Sequence, residues 1–267
     1  MEDIRPRFGL HTLPCTREVA VCDHLAHDSY NEALTGLLHA VQQRQSAALI
    51  APAGTGKSNV LRALVDRLPD KLYRVHYVKV TGLSKRDMCR EIAAAVGAEP
   101  AGSYPWLVRR LQERFDACDH DGVRPVLLLD EAHELRPDVL GMLRILTNFD
   151  MDSRLVLSVV LAGQPPLAKM LQHPDLEAVA RRLTYYARLR TLSRDETKHY
   201  LRHRFTVAGA SSLPFDDRAL DAIFDVGAGN LRATDRLALR SLELAARADQ
   251  DVVGSEHVAG ARSTLWA

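Results

Sequence analysis

The stretch LIAPAGTGKSNV, residues 49–60, decides how this chain is read. An apolar run enters a loop of small residues, closes on Gly56-Lys57-Ser58-Asn59, and passes into a helical pattern. This is the G-x-x-x-x-G-K-[ST] arrangement with Ala51 in the place of the first glycine. Such a loop holds phosphate because successive backbone N–H groups and a helix start wrap the oxygens. The lysine reaches the β- and γ-phosphates, and the hydroxyl binds Mg²⁺. Ala51 is a mild departure, since that position needs a small residue at the strand-to-loop turn and the phosphate-facing amides lie further on. Pro52, Ala53, Gly54, Thr55, Gly56, Lys57, Ser58 and Asn59 are therefore expected to line ATP, with Ser58 as a Mg²⁺ ligand.

Working outward, AALIA (47–51), YRVHYVKV (73–80), PVLLLD (125–130), LVLSVVLA (155–162) and TYYARL (184–189) read as five strands. Several are apolar on both faces, as central parallel strands are. Val60, Leu61, Leu64, Val65 and Leu68 share a helix face that Pro69 ends, and residues 84–96, 104–118 and 137–146 give further helices. From Ser193 only helices are expected, opened by a capping box with Glu196. The fold class is α/β: a five-stranded parallel sheet followed by a small all-helical lid. The expected segments are an arm with a first helix (1–45), an ATPase domain (46–191) and the lid (192–267).

A chain of 267 residues buries a core without staples. Cys15, Cys22, Cys89 and Cys118 form no disulfide framework, and MEDIRPRFGL carries no signal-peptide run, which predicts a cytoplasmic protein. The Cys15, Cys22, His24, His27 spacing fits neither half of a structural zinc pattern. The longest apolar run falls short of the ~20 residues of a membrane span, so no membrane contact is expected. With 35 Lys and Arg against 34 Asp and Glu, net charge makes no case for nucleic acid, although a local basic face remains open.

VLLLDE supplies the acids that a phosphate loop needs. Asp130, at the end of an apolar strand about 70 residues after the P-loop, is placed to hold Mg²⁺, and Glu131 to polarise the attacking water. Asp130-Glu131-Ala132-His133 also spells a helicase box, but two RecA-like domains do not fit in this length and no Q-x-x-G-R-x-x-R motif occurs. His133 is read as a helix-start residue. No N-K-x-D motif supports guanine. Gln164, after the fourth strand, can sense the γ-phosphate. Arg181 and Arg182, before the fifth, are either a solvated helix end or a trans-acting arginine for a neighbouring subunit. Arg232 follows a Gly-rich turn at the start of a lid helix, from which it could report the γ-phosphate.

Together, APAGTGKS, LLLDEAHEL, LRILTNF, VVLAGQPPL, ARRLTYY and GNLRATDRL make the chain resemble an AAA+ ATPase of the ExeA-like group. The same core serves ExeA-type secretion proteins and the TniB, IstB and TnsC-like helper ATPases of transposons. The resemblance to the helpers implies an ATP-dependent homo-oligomer that binds double-stranded DNA and recruits a transposase, with Arg182 favoured over Arg181 as the finger. Secretion members add a membrane segment and a cell-wall-binding region, and their absence here favours the helper expectation. The alternatives are an ExeA-like ATPase of secretion or envelope assembly without nucleic acid, and a helicase-loader-like ATPase. Lys85 and Arg86, at the start of the helix after the second strand, are the residues placed to meet DNA, or form a solvated basic turn.

Overall fold

The computed structural model describes residues 3–265, so Met1, Glu2, Trp266 and Ala267, the outermost residues of the expected arm and lid, lie outside the described residues. Five strands, β1 (Ser46–Ile50), β2 (Tyr73–Lys79), β3 (Arg124–Asp130), β4 (Ser158–Gly163) and β5 (Leu183–Arg188), form one sheet in the order β2-β3-β4-β1-β5. Every pairing is parallel. β1 and β4 are buried along their whole length and β3 everywhere but Arg124, whereas the edge strands β2 and β5 are each buried at only two positions, Tyr73 and Val78 in β2 and Leu183 and Ala187 in β5. Continuous apolar runs mark strands covered on both faces. Each fully buried Leu, such as Leu127 or Leu161, contributes roughly 1.5–3 kcal/mol.

The fourth strand starts later than its apolar run. Val156 and Leu157 are buried outside the ladder, and pairing with β3 begins at Val126↔Ser158. Pro125, opposite the next residue down, has no N–H to extend the ladder.

Two compact units divide the chain. The α/β unit holds Asp28–Ala53 and Lys57–Leu189, and Gly54–Gly56 group instead with the helical unit. Covering the sheet are α1 (Asp28–Gln42), α2 (Lys57–Arg67), α3 (Lys85–Ala95), α4 (Tyr104–His120), α5 (Pro137–Leu146), α6 (Pro165–Leu171) and α7 (Glu177–Ala180). α1 turns Ala33, Leu34, Leu37, Ala40 and Val41 inward at helical spacing. Ser84 caps α3 by accepting from the Asp87 N–H, and Pro at the start of α4 and α5 is pre-set for the first turn.

The helical unit contains α8 (Arg194–Val207), α9 (Asp217–Gly227), α10 (Leu231–Arg247) and α11 (Ser255–Leu265) around a core of its own. The capping box at Ser193 and Glu196 is formed in both directions. Ile4, Phe8, Leu10 and Cys15 enter this core beside Phe205, Phe215 and Leu237, so the arm up to His27 packs here while α1 belongs to the sheet. The arm is also tied by backbone groups: the His11 N–H donates to Ala208 O at 2.8 Å and Arg204 Nη2 to Thr16 O at 2.7 Å. Gly209 must be glycine there, since φ is +97° and a Cβ would come within 2.6 Å of the His11 ring.

Candidate functional site

In a parallel sheet the chain leaves every strand at the same edge, and ligands meet open α/β sheets at that edge. β1 runs into the 52–56 loop, β3 ends on Asp130, and β4, lying between them, ends on Gly163. The Ala51 N–H donates to Gly163 O at 2.9 Å, so the start of the phosphate loop and the end of β4 are stitched together.

The loop has the backbone that the sequence requires. Gly54 has φ +77° and Gly56 φ +94°, both in the region that favours glycine. A Cβ on Gly54 would come within 2.4 Å of Asn230 Oδ1, and its carbonyl accepts from the Arg232 N–H at 3.2 Å, all three residues lying in the helical unit. Arg232 itself is exposed in the first turn of α10. Thr55 and Lys57 are buried, and Ser58 is exposed in the first turn of α2. The loop leads into the first turn of α2, and helix starts favour an anion.

Lys57 is the centre of the arrangement. Its Nζ donates to Asp130 Oδ1 at 2.5 Å and to Glu131 Oε1 at 2.7 Å, with only 9% of the side chain exposed. Burying an ammonium is costly unless it is paired, and here two carboxylates pair it. Asp130 is further held by its neighbours. Oδ1 accepts the Glu131 N–H at 2.8 Å and Oδ2 accepts Tyr77 Oη–H at 3.1 Å. Partial burial and then the Asp130 charge push the Tyr77 hydroxyl up to about 12, so it stays a donor.

Glu131 sits at φ +59°, ψ 32°, in the left-handed region, at a cost of order 1–3 kcal/mol for a residue with a Cβ. The kink turns its carboxylate back over the end of β3. A second left-handed run, Asp150, Met151 and Asp152, follows α5. It presents Asp152 to Arg182, whose Nη1 and Nη2 each donate at 2.6 Å. Arg181 Nη2 donates to Glu177 Oε1 at 2.6 Å, one turn back, and its side chain is 78% exposed. Both arginines line a surface cleft with Arg144 and Asp152.

Gln164 is half-buried at the start of α6, one residue beyond Gly163, the partner of Ile50. Its backbone N–H points at His133 Nδ1, 3.4 Å away. His133 was read from sequence as a helix-start residue. It does lie in the 3₁₀ turn Ala132–Glu134, but its side chain is only 8% exposed and lies 3.5 Å from Glu131 Oε2 and 3.3 Å from Glu134 Oε1. Sequence reasoning missed His133 and Tyr77 as members of the site. The available signal for Tyr77 was its position on β2, two residues before the partner of Asp130. Lys85 and Arg86 open α3, away from this cluster. Lys85 Nζ is 3.9 Å from Asp138, and Arg86 Nε donates to Gly102 O at 3.1 Å.

The donor set suits Mg²⁺. That ion takes one or two protein oxygens and completes its shell with phosphate oxygens and water, as Ser58 and Asp130 allow. Among the described residues, no group of three or more His, Cys, Asp and Glu forms a metal cage.

Known proteins with these features were found at both levels. Residues 39–171 match the AAA domain family. General secretion pathway protein A of Aeromonas hydrophila is 32% identical over 218 residues, 80% of this chain. The chain spans 40% of that relative's length. Among solved structures, Cdc6p from Pyrobaculum aerophilum superposes with a TM-score of 0.77 at 20% identity, over 94% of this chain and 70% of that one. The Aeropyrum pernix ORC1 protein in complex with DNA gives 0.73 at 20% identity, over 99% and 71%. The RuvB branch migration motor of Thermotoga maritima gives 0.61 at 18%, over 90% and 70%. No helix among the described residues is long and apolar enough to cross a membrane. The chain therefore has the P-loop α/β fold of these AAA+ structures, matches the AAA domain family over residues 39–171, and is similar in sequence to a secretion-pathway protein A.

Proposed function

We propose that the chain binds ATP with Mg²⁺ on residues 52–59 and hydrolyses it to ADP and phosphate. The observation that carries this reading is the Lys57 ammonium held between Asp130 and Glu131 beside a helix start. An arriving phosphate competes with the carboxylates for Lys57. As the ammonium turns to phosphate, Glu131 is released to take a proton from water. Ser58 and Asp130 would hold Mg²⁺, which supplies charge neutralisation at the phosphates. Gln164 is the sensor at the end of β4, and Arg232 the corresponding group on the helical unit. Nucleotide affinity and single-turnover hydrolysis test the reading: ATP that neither binds nor turns over with Mg²⁺ ends it.

The active form is a homo-oligomer, with Arg181 or Arg182 serving the ATP of an adjacent copy. Both remain candidates. Asp152 holds Arg182 in a partly buried bidentate pair, and a phosphate, which offers the same fork of oxygens, can take the place of that carboxylate. Arg181 is held by a single exposed pair with Glu177, one helical turn back. Kinship to a secretion-pathway protein favours a partner in secretion or envelope assembly, with ATP binding as the switch.

A second reading is the transposition helper, or a helicase loader built on the same core: a cytoplasmic oligomer on double-stranded DNA that recruits a transposase or another DNA enzyme. It is favoured by Lys85 and Arg86 on the first turn of α3 and by a structural neighbour determined with DNA. One or two phosphate contacts per copy would be weak alone and strong when repeated in an oligomer. The test is duplex binding at low salt with a non-hydrolysed ATP analogue. Lys85→Glu with Arg86→Glu keeps nucleotide binding and loses the ATP-dependent shift. No shift by the unaltered protein leaves the secretion reading alone.

A further inference from the structure

We infer that His133 is a positioning residue that couples Gln164 to Glu131 through a single ring nitrogen; the inference rests on the ATPase reading above. Nδ1 faces two groups at once, the Gln164 N–H at 3.4 Å and Glu131 Oε2 at 3.5 Å. It can serve only one of them. With Nδ1 bare it accepts from Gln164 and offers nothing to the carboxylate, while Nε2 lies 3.3 Å from Glu134 Oε1. With Nδ1 protonated it donates to Glu131 and opposes the Gln164 N–H.

The surroundings build this choice in. The ring itself is buried, so a second partner for Nδ1 has to come from the protein. Gly163 lets β4 come close: a Cβ there would lie 3.1 Å from the His133 N and 2.9 Å from Leu167. The left-handed backbone of Glu131 brings Oε2 to the ring while Oε1 stays on Lys57. A displacement of Gln164, the residue at the phosphate-sensing end of β4, therefore changes what the ring asks of Glu131. When Lys57 turns to phosphate, the ring becomes the remaining restraint on the carboxylate named above as the base.

Two amides separate the roles of the two nitrogens. An Asn amide reaches the Nδ1 position and a Gln amide the Nε2 position. His133→Asn should hold turnover within about threefold. His133→Gln should lose about 10- to 100-fold in kcat, the scale of a misplaced reacting group, with KM and ATP-analogue affinity unchanged. If His133 served only to fill space, the two variants would fall together and their melting temperatures would fall with them; that outcome overturns the inference. A second measurement uses Glu131→Gln. Adding His133→Gln to it should cost nothing further, since both act through one carboxylate, and additive losses also overturn it. Should Glu131→Gln turn over ATP normally, Glu131 is not the base and the inference falls with it; should the unaltered protein neither bind nor turn over ATP with Mg²⁺, the ATPase reading fails instead, so the two failures are told apart.

Discussion

Each unit of the molecule buries a small charged cluster, and the two are built on opposite principles. At the end of β3, Lys57, Asp130 and Glu131 meet beside a kinked backbone, and Glu131 is still 29% exposed. In the helical unit, Tyr200 Oη–H donates to Asp235 at 2.9 Å, the buried Arg204 guanidinium lies 5.9 Å from the Tyr200 ring, and Cys15 closes the group from the arm. The helical cluster is knitted to the backbone: Arg204 holds Thr16 O. In the sheet cluster, on the ATPase reading proposed above, phosphate takes the place of a carboxylate on Lys57. Strain and an exchangeable partner mark the site, whereas a closed network marks a tie between segments.

The largest effect should come from breaking the exchangeable cluster. Lys57→Ala is expected to abolish ATP binding and leaves Asp130 and Glu131 without their shared cation. Glu131→Gln should bind ATP normally and lose on the order of 10²–10⁴ in turnover, because the carboxylate matters to the water rather than to the bound nucleotide. Titration with a fluorescent analogue beside single-turnover hydrolysis separates the two. Equal affinities for the two variants would remove Lys57 from the phosphate site.

Next in size are the arginines, which sharpen the comparison because Arg182 is held by a bidentate pair with Asp152 and Arg181 by a single pair with Glu177 on its own helix. A trans-acting arginine is worth ~10³–10⁵ in rate where it has been measured. Arg181→Ala and Arg182→Ala are each to be mixed with Lys57→Ala subunits. The finger variant is the one whose mixture regains activity, since some interfaces then join an intact site to an intact arginine. Asp152→Asn frees Arg182, and an unchanged rate there points to Arg181. If neither arginine variant loses turnover at saturating protein, the active copies work alone.

How much of this was legible in the sequence depends on how local the cause is. The phosphate loop, the apolar strand ending in Asp130 and the capping box at Ser193 are each set by a few neighbouring residues, and all are found where the patterns put them. The late start of β4 was hidden because Pro125 acts across the ladder. α6 and α7 were missed because they are too short for a periodic face. His133 was invisible as a site residue because its partners come from β4 and its own turn, and only the sheet order brings Gln164 to it. The left-handed backbone of Glu131 and of residues 150–152 carries no sequence signal of the kind glycine gives. The arm's place in the helical core rests on contacts to residues far along the chain.

The smallest effect tests the closed cluster. Burial raises the Asp235 carboxyl from the ordinary 3.8 to about 6, against the pull of Arg204 and the donated hydroxyl of Tyr200. Cys15 and Tyr200, facing the same carboxylate, are pushed up as well, chiefly by burial, and stay protonated. The folded state thus holds a proton on Asp235 that the unfolded chain has released between those two values. Its contribution to stability is full below about pH 4 and lost as pH rises through about 6, on the order of 3 kcal/mol in all. Glu196 works in the opposite sense over a lower window: Arg190 first, then the Ser193 N–H, hold it down at about 2, so its contribution is already complete above the ordinary 4.5. Asp235→Asn removes the titration and keeps an acceptor for Tyr200. The difference in melting temperature, variant minus unaltered protein, should therefore move in the variant's favour between pH 4.5 and pH 7. A difference that stays level across that range would mean that Asp235 is solvated in the folded state, and the contrast between an open and a closed cluster would then fail on its closed side.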